Sequence, residues 1–178
     1  MRRRLHITQT LPQFTNERAL FIVTGTKSLE LYEAMNGTIE NVLSYRIEAP
    51  EYSDKEGHFA KRRGGKTLAS GAVREDVEAS LRVKFLRQLE SSLQTIMHSG
   101  KVTAAYIFSP QHMMNDVVKV MPRAIQKQTK KVVQGNFTKL HPFEVLQKIV
   151  DKGEEKVQVI TSEAMKLLQK AQLQTNLH

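Results

Sequence analysis

The sequence predicts a mixed α/β fold, in which a sheet of five or six strands carries helices packed on it. Its 178 residues, 40% of them hydrophobic, are enough for one core and too few for two comfortable domains. Short runs of strand-forming residues alternate with stretches whose apolar residues recur at helical spacing. The dipeptide Asn36-Gly37 separates two of the strand runs, as in a hairpin.

The first half of the chain is predicted to supply the hairpin side of the sheet. Residues 1–17 form a polar lead-in, and the apolar run 18–24, closed by Gly25, is typical of a central strand. Alternating apolar residues on both sides of Asn36-Gly37 predict two further strands joined by a tight turn. Three strands are therefore expected before the first helix.

The second half of the chain alternates between helices and strands. Apolar residues recur at helical spacing from Val73 to Ile96, which predicts a long amphipathic helix. The run 102–108 is the next predicted strand. Ser109 is expected to cap a helix that has Pro110 at its first position and continues to about Ile125.

A weaker strand is predicted at residues 130–135, and His141-Pro142 is expected to open a further helix. This order of elements predicts a hairpin on one side of the sheet and parallel crossovers on the other. We expect one domain over residues 18–152 with a basic loop at 49–73. Residues 153–178 are expected to form an extension with a last strand and a terminal helix.

The net charge of +9 is concentrated in two stretches. Residues 55–87 contain nine basic and four acidic side chains, and residues 119–139 contain six basic and none acidic. Blocks of this kind are expected where a protein neutralises the phosphates of a nucleic acid. The alternative is that they are solvated helix faces and loops without a dedicated partner.

The glycine pair in the basic loop is the most specific candidate site. Two adjacent glycines allow the backbone to approach a partner closely, and the cations around them are suited to phosphates. The predicted RNA-binding residues of the loop and of the helix that follows it are Lys61, Arg62, Arg63, Gly64, Gly65, Lys66, Arg74 and Arg82.

Other chemistries are less well supported by the sequence. The run from Ala60 to Thr67 matches a relaxed phosphate-loop pattern, but no apolar strand precedes it and no helical periodicity follows it directly. The chain has no cysteine and its six histidines are scattered, so we predict no metal, cofactor or catalytic residue. The absence of an apolar span or signal sequence predicts a cytoplasmic location without membrane contact.

The run His58-Phe-Ala-Lys-Arg-Arg-Gly-Gly-Lys-Thr67, with the helix and strand after it, resembles the central domain of archaeal and eukaryotic class 1 release factors. Residues 18–149 are more closely similar to the bacterial relatives of that domain, the host attachment proteins. The resemblance implies a ribonuclease H-like fold and a role at the ribosome or on tRNA. Lys66 stands where the release factors have the glutamine of their Gly-Gly-Gln motif. Because an ammonium has donors and no acceptor, this difference implies binding without peptide release, as in Pelota.

Our leading hypothesis is a non-enzymatic, translation-associated protein that binds the ribosome or tRNA through this loop. The first alternative is a host attachment or virulence factor that acts through protein partners. The second is a hydrolase of the same fold.

Overall fold

The computed structural model describes residues 4–47 and 70–150, including their side chains except those of residues 70–78. The elements in chain order are β1 (Arg4–His6), β2 (Ala19–Thr24), β3 (Ser28–Met35), β4 (Thr38–Arg46), α1 (Ser70–His98), β5 (Ala104–Ser109), α2 (Gln111–Val120), α3 (Arg123–Lys127), β6 (Thr129–Gln134) and α4 (Pro142–Val150). The extension predicted at 153–178 lies outside the described residues.

The six described strands form one sheet in the order β1-β4-β3-β2-β5-β6. Neighbouring strands from β1 to β2 pair antiparallel, whereas β2, β5 and β6 run parallel. The predicted mixed α/β sheet, with a hairpin on one side and parallel crossovers on the other, is confirmed.

The turn between β3 and β4 has the geometry that its sequence predicts. Asn36 has φ 48° and Gly37 has φ 73°, and both residues of a two-residue type I′ turn require positive φ. The hydroxyl of Thr38 also donates a hydrogen bond of 2.8 Å to the carbonyl of Met35. The turn therefore sets the register in which Met35 pairs with Thr38.

Two hydrophobic clusters cover the two faces of the sheet. On one face, Leu20 and Ile22 of β2 belong to a cluster that includes residues of α1 and α2. On the other face, Ala19, Phe21 and Val23 belong to a cluster that includes residues of α4 and of the segment before β2. All six residues of β2 are buried, as is typical of a central strand covered on both sides.

The segment treated as a lead-in contributes to both the sheet and the core. Its β1 pairs with β4 over Thr38–Glu40. The buried side chains of Ile7, Leu11 and Phe14 join the second cluster. Phe14 packs edge to face on Phe21, with 5.7 Å between the ring centroids.

The helix predicted from Pro110 to Ile125 is broken, and this prediction was wrong in its carboxyl-terminal part. α2 ends at Val120, Met121 is extended with ψ 135°, and Pro122 is the N-cap of α3. Proline disfavours the helical conformation at the residue before it and has no N–H for the helix ladder. The single predicted helix is therefore two.

The predicted cap of α2 is also corrected. Ser109 is buried as the last residue of β5, and the N-cap is Pro110, with φ −58° and ψ 146° and no side-chain cap. The backbone carbonyl of Pro110 instead accepts hydrogen bonds from the N–H groups of Met113 and Met114.

We expect Phe85→Ala to lower the free energy of unfolding by about 3–5 kcal/mol, because Phe85 fills the contact between α1 and the sheet with none of its surface exposed. Val83, 47% exposed on the same helix, provides the control, and Val83→Ala should change stability by less than about 0.5 kcal/mol. Urea unfolding measures both. Equal losses in the two variants would contradict the packing of α1 on the sheet.

Because the pKa of Tyr106 is raised, we expect the folded protein to lose stability at alkaline pH. Burial, and secondly the Glu17 carboxylate, raise the pKa of Tyr106 above its ordinary value of 10.0. Since the unfolded chain then ionises first, this contribution is complete below pH 10.0 and declines as the pH rises above it. Tyr106→Phe keeps the ring that stacks on Phe21 at 5.0 Å and removes the titration.

Urea unfolding of Tyr106→Phe and of the unchanged protein should be compared at pH 7 and at about pH 10.5, above the ordinary tyrosine pKa. The variant should lose less stability between the two pH values. An equal loss would show that Tyr106 is not involved.

Candidate nucleic-acid interface

Strands β2, β4, β5 and β6 all end at the same edge of the sheet, because β4 is antiparallel to β3 and β3 is antiparallel to β2. We call this the carboxyl edge and the opposite one the amino edge. Open α/β sheets bind their ligands in the crevice outside the carboxyl ends of their strands. The carboxyl edge is therefore the first place to look for a site.

Helix α1 runs from the carboxyl edge to the amino edge. Arg18, the residue before β2, donates a hydrogen bond of 2.7 Å to the Ser99 hydroxyl, which places the end of α1 at the amino edge. Arg82 lies fourteen residues before Ile96, which is in the last turn of the helix. Arg82 donates a hydrogen bond of 2.9 Å to the carbonyl of His112, just after the end of β5. Arg82 is therefore level with the carboxyl edge.

The first turns of α1 continue beyond this point. At 1.5 Å per residue, the segment from Ser70 to Arg82 corresponds to about 18 Å of helix. The described chain leaves the sheet at Ile47, at the carboxyl edge, and resumes at the start of α1. Both ends of the predicted basic loop are therefore attached at or beyond the carboxyl edge.

The predicted site residues divide between the described and the remaining parts of the chain. The loop residues Lys61 to Lys66 lie outside the described residues. Arg74 lies in the second turn of α1, but its side chain is likewise outside them. Arg82 alone among the predicted RNA-binding residues has a described side chain.

Arg82 joins α1 to α2. Its guanidinium forms an ion pair with the carboxylate of Asp116 in addition to its bond with His112. Asp116 also lies 3.9 Å from the ammonium of Lys119. With 43% of its side chain exposed, Arg82 keeps a solvent-facing part while it holds the two helices together.

Three further cations lie at the carboxyl edge, and the sequence analysis did not single them out. Lys27 follows β2, Arg46 ends β4 and Lys139 follows β6, and all three are exposed. Within the described residues none of them forms an ion pair. They are isolated in the sequence, so only the topology of the sheet brings them to one edge.

The second basic stretch does not form one surface. Arg123 and Lys127 lie in α3, at the amino edge, because the crossover from β5 returns the chain to the beginning of β6. Lys131 donates hydrogen bonds to the carbonyls of Lys148 and Ile149 at the end of α4. Only Lys139 of this stretch lies at the carboxyl edge.

Among the described side chains, no group of three or more histidines, aspartates and glutamates is placed to hold a metal ion. No helix in the described ranges has the length and apolar character needed to cross a bilayer. His112 follows the end of β5, and its Nε2 lies 3.4 Å from the Thr26 hydroxyl.

These features define an α/β domain with a mixed sheet whose carboxyl edge carries exposed cations. Residues 17–149 match the family described as "Protein required for attachment to host cells". The protein belongs to this family, which confirms the predicted family assignment.

A solved structure, described as an archaeal translation termination factor, aRF1, is similar with a TM-score of 0.42 and 10% sequence identity. The match covers 91% of this chain and 43% of that one, so the protein spans less than half the length of the archaeal factor. A comparison with curated proteins found no match.

A double-mutant cycle on Arg82 and Asp116 should give a coupling energy of about 0.5–1 kcal/mol, because the pair is partly exposed and screened by solvent. Chemical unfolding of Arg82→Ala, Asp116→Ala and the double variant measures it. Lys84, exposed on the same helix, serves as the control, and Lys84→Ala should be nearly neutral. Additive losses would contradict a contact between α1 and α2 through this pair.

Proposed function

We propose that the protein binds ribosomal RNA or tRNA through the basic loop Lys61 to Lys66 and the first turns of α1, and that it does not release peptides. The observation that supports this most directly is the attachment of both loop ends at the carboxyl edge. The edge at which the described chain stops already carries the exposed cations Lys27, Arg46 and Lys139.

Charge is the second argument for an anionic macromolecule. Binding of cations to phosphates releases condensed counterions, and this supplies much of the affinity of proteins for RNA. Arg74 and Arg82 are eight residues apart on α1, about 12 Å along the helix axis. The sequence adds four cations between Lys61 and Lys66, and cations spread along a chain in this way suit a nucleic-acid backbone better than a small ligand.

The chemistry of Lys66 argues against peptide release. Hydrolysis of the peptidyl-tRNA ester requires a group that orients a water molecule, and an amide offers both a donor and an acceptor for this purpose. A lysine ammonium has three donors and no acceptor. Lys66 is therefore suited to a phosphate contact and not to the positioning of water.

Binding to ribosomes and bulk tRNA, measured by co-sedimentation and gel shift, should be salt-sensitive and should be strongly weakened in the triple variant Arg62→Ala, Arg63→Ala, Lys66→Ala. Single-stranded RNA has a salt slope of about 0.7 per phosphate contact, so the variant should lower the slope by about 2. No release of peptide from peptidyl-tRNA is expected from either protein.

The matched control removes the same charge at the amino edge. Arg123, Lys127 and Lys130 are exposed there, so the corresponding triple alanine variant should bind nearly as well as the unchanged protein. Failure to bind ribosomes and tRNA at any salt concentration would refute the proposal. The alternative of a host attachment factor that acts through protein partners would then be the better hypothesis.

A further inference from the structure

A cavity of about 380 Å³ opens at the carboxyl edge. Segments that are distant in sequence line it: the turn after β2 with the start of β3, the end of β4 and the segment after β6. Its volume is within the range of about 300–1,000 Å³ that is usual for small-molecule sites. Apart from Tyr45, the residues that line it have polar or charged aliphatic side chains, so the cavity is suited to a ligand with polar groups.

The charges around the cavity favour an anion. Lys27, Arg46 and Lys139 line it, against the single carboxylate of Glu30. That carboxylate already accepts hydrogen bonds from the amide of Asn41 and the hydroxyl of Ser44. The three cations have no ion-pair partner within the described residues, so their positive potential is not neutralised locally.

A chain of hydrogen bonds orients the neutral groups of the cavity. The Ser28 hydroxyl donates to the Thr138 hydroxyl at 3.0 Å, and that hydroxyl donates to Oδ1 of Asn136, also at 3.0 Å. Because Oδ1 of Asn136 is the last acceptor in this series of hydrogen bonds, both N–H groups of Nδ2 remain able to donate. No acceptor engages this group within the described part of the protein.

Gly25 allows this chain to lie against the end of β2. A Cβ atom at this position would stand 2.8 Å from the Ser28 hydroxyl oxygen and 3.2 Å from Oδ1 of Asn136. Any larger residue would displace the chain. The absence of a side chain at Gly25 therefore leaves room for these hydrogen-bonded side chains against the end of β2.

We propose that this cavity binds the phosphate group of a ribonucleotide, either within an RNA strand or as a free nucleotide. A phosphate offers several acceptor oxygens and up to two negative charges, and the cavity presents a guanidinium, two ammonium groups and an amide donor. The half-buried ring of Tyr45 also lines the cavity and offers a surface on which a base can stack.

This site goes beyond the proposed function, because none of its residues belongs to the basic loop. The cavity and the loop are tested by different substitutions. A protein without loop-mediated ribosome binding could still bind phosphate at the cavity.

The test compares two triple variants of the full-length protein that lose the same charge. One is Lys27→Gln, Arg46→Gln, Lys139→Gln at the cavity, and the other is Arg123→Gln, Lys127→Gln, Lys130→Gln at the amino edge. The probes are a fluorescein-labelled ten-nucleotide oligouridylate, AMP and inorganic phosphate. Binding is followed by fluorescence anisotropy for the RNA and by isothermal titration calorimetry for the other two.

Compared with the unchanged protein, the cavity variant should bind the phosphate-containing probes at least about tenfold more weakly. Loss of one charge-assisted hydrogen bond already corresponds to about that factor. The amino-edge variant should change affinity by less than about threefold. Unaltered thermal unfolding in both variants, whose substituted side chains are all exposed, would show that they fold.

The probes separate the two sources of the phosphate. Cavity-dependent binding of AMP and inorganic phosphate would assign the site to a free nucleotide, and cavity-dependent binding of oligouridylate alone would assign it to an RNA strand. Equal affinities of the two triple variants for all three probes would overturn the proposal. The loop variant Arg62→Ala, Arg63→Ala, Lys66→Ala should retain cavity binding, so failure of the loop hypothesis would remain distinguishable.

Discussion

The alternating side chains of β2 enter two separate hydrophobic clusters, and the whole architecture depends on this double burial. Leu20 and Ile22 face the cluster that contains α1 and α2, and Phe21 faces the cluster that contains α4. Because β2 lies between the antiparallel and the parallel half of the sheet, its direction also decides which edge the other strands end on. The packing of one strand thus determines where α1 crosses the sheet and where the cations of the carboxyl edge meet.

Much of the fold could be predicted from local signals. The turn at Asn36-Gly37 was predictable because two consecutive positive φ angles strongly select this dipeptide. Helix α1 was predictable because its buried residues recur at helical spacing along about three of its turns, from Phe85 to Ile96. Both signals arise from residues that are near one another in the chain.

The errors have equally physical causes. β1 has only three residues, none of them fully buried, and forms only by pairing with a distant strand, so its own sequence carries no signal. The apolar pattern of α2 continues through Met121 and Ile125, which are both buried, although Pro122 breaks the helix between them. The spacing of the buried residues therefore gave no sign that the helix is interrupted at Pro122.

The candidate site shows the same difference between local signals in the sequence and long-range pairing. The basic loop predicted from composition lies outside the described residues, whereas Lys27, Arg46 and Lys139 are described and are single cations in unrelated segments. Their proximity is a property of strand direction, which depends on long-range pairing. The two basic stretches of the sequence are likewise poor guides to surfaces, since a parallel crossover carried part of the second stretch to the opposite edge.

The described chain leaves the sheet at Ile47 and resumes at Ser70, and this bears on how far the length of the segment between them can vary. The entropy of closing a loop grows only with the logarithm of its length, so that a twofold longer loop costs only about 0.6 kcal/mol. Ile47 is buried in the cluster that contains α1 and α2, and Ser70 is the first residue of α1, whose Phe85, Leu89 and Leu93 belong to the same cluster. The entropy of joining these two points therefore changes little with the number of residues between them.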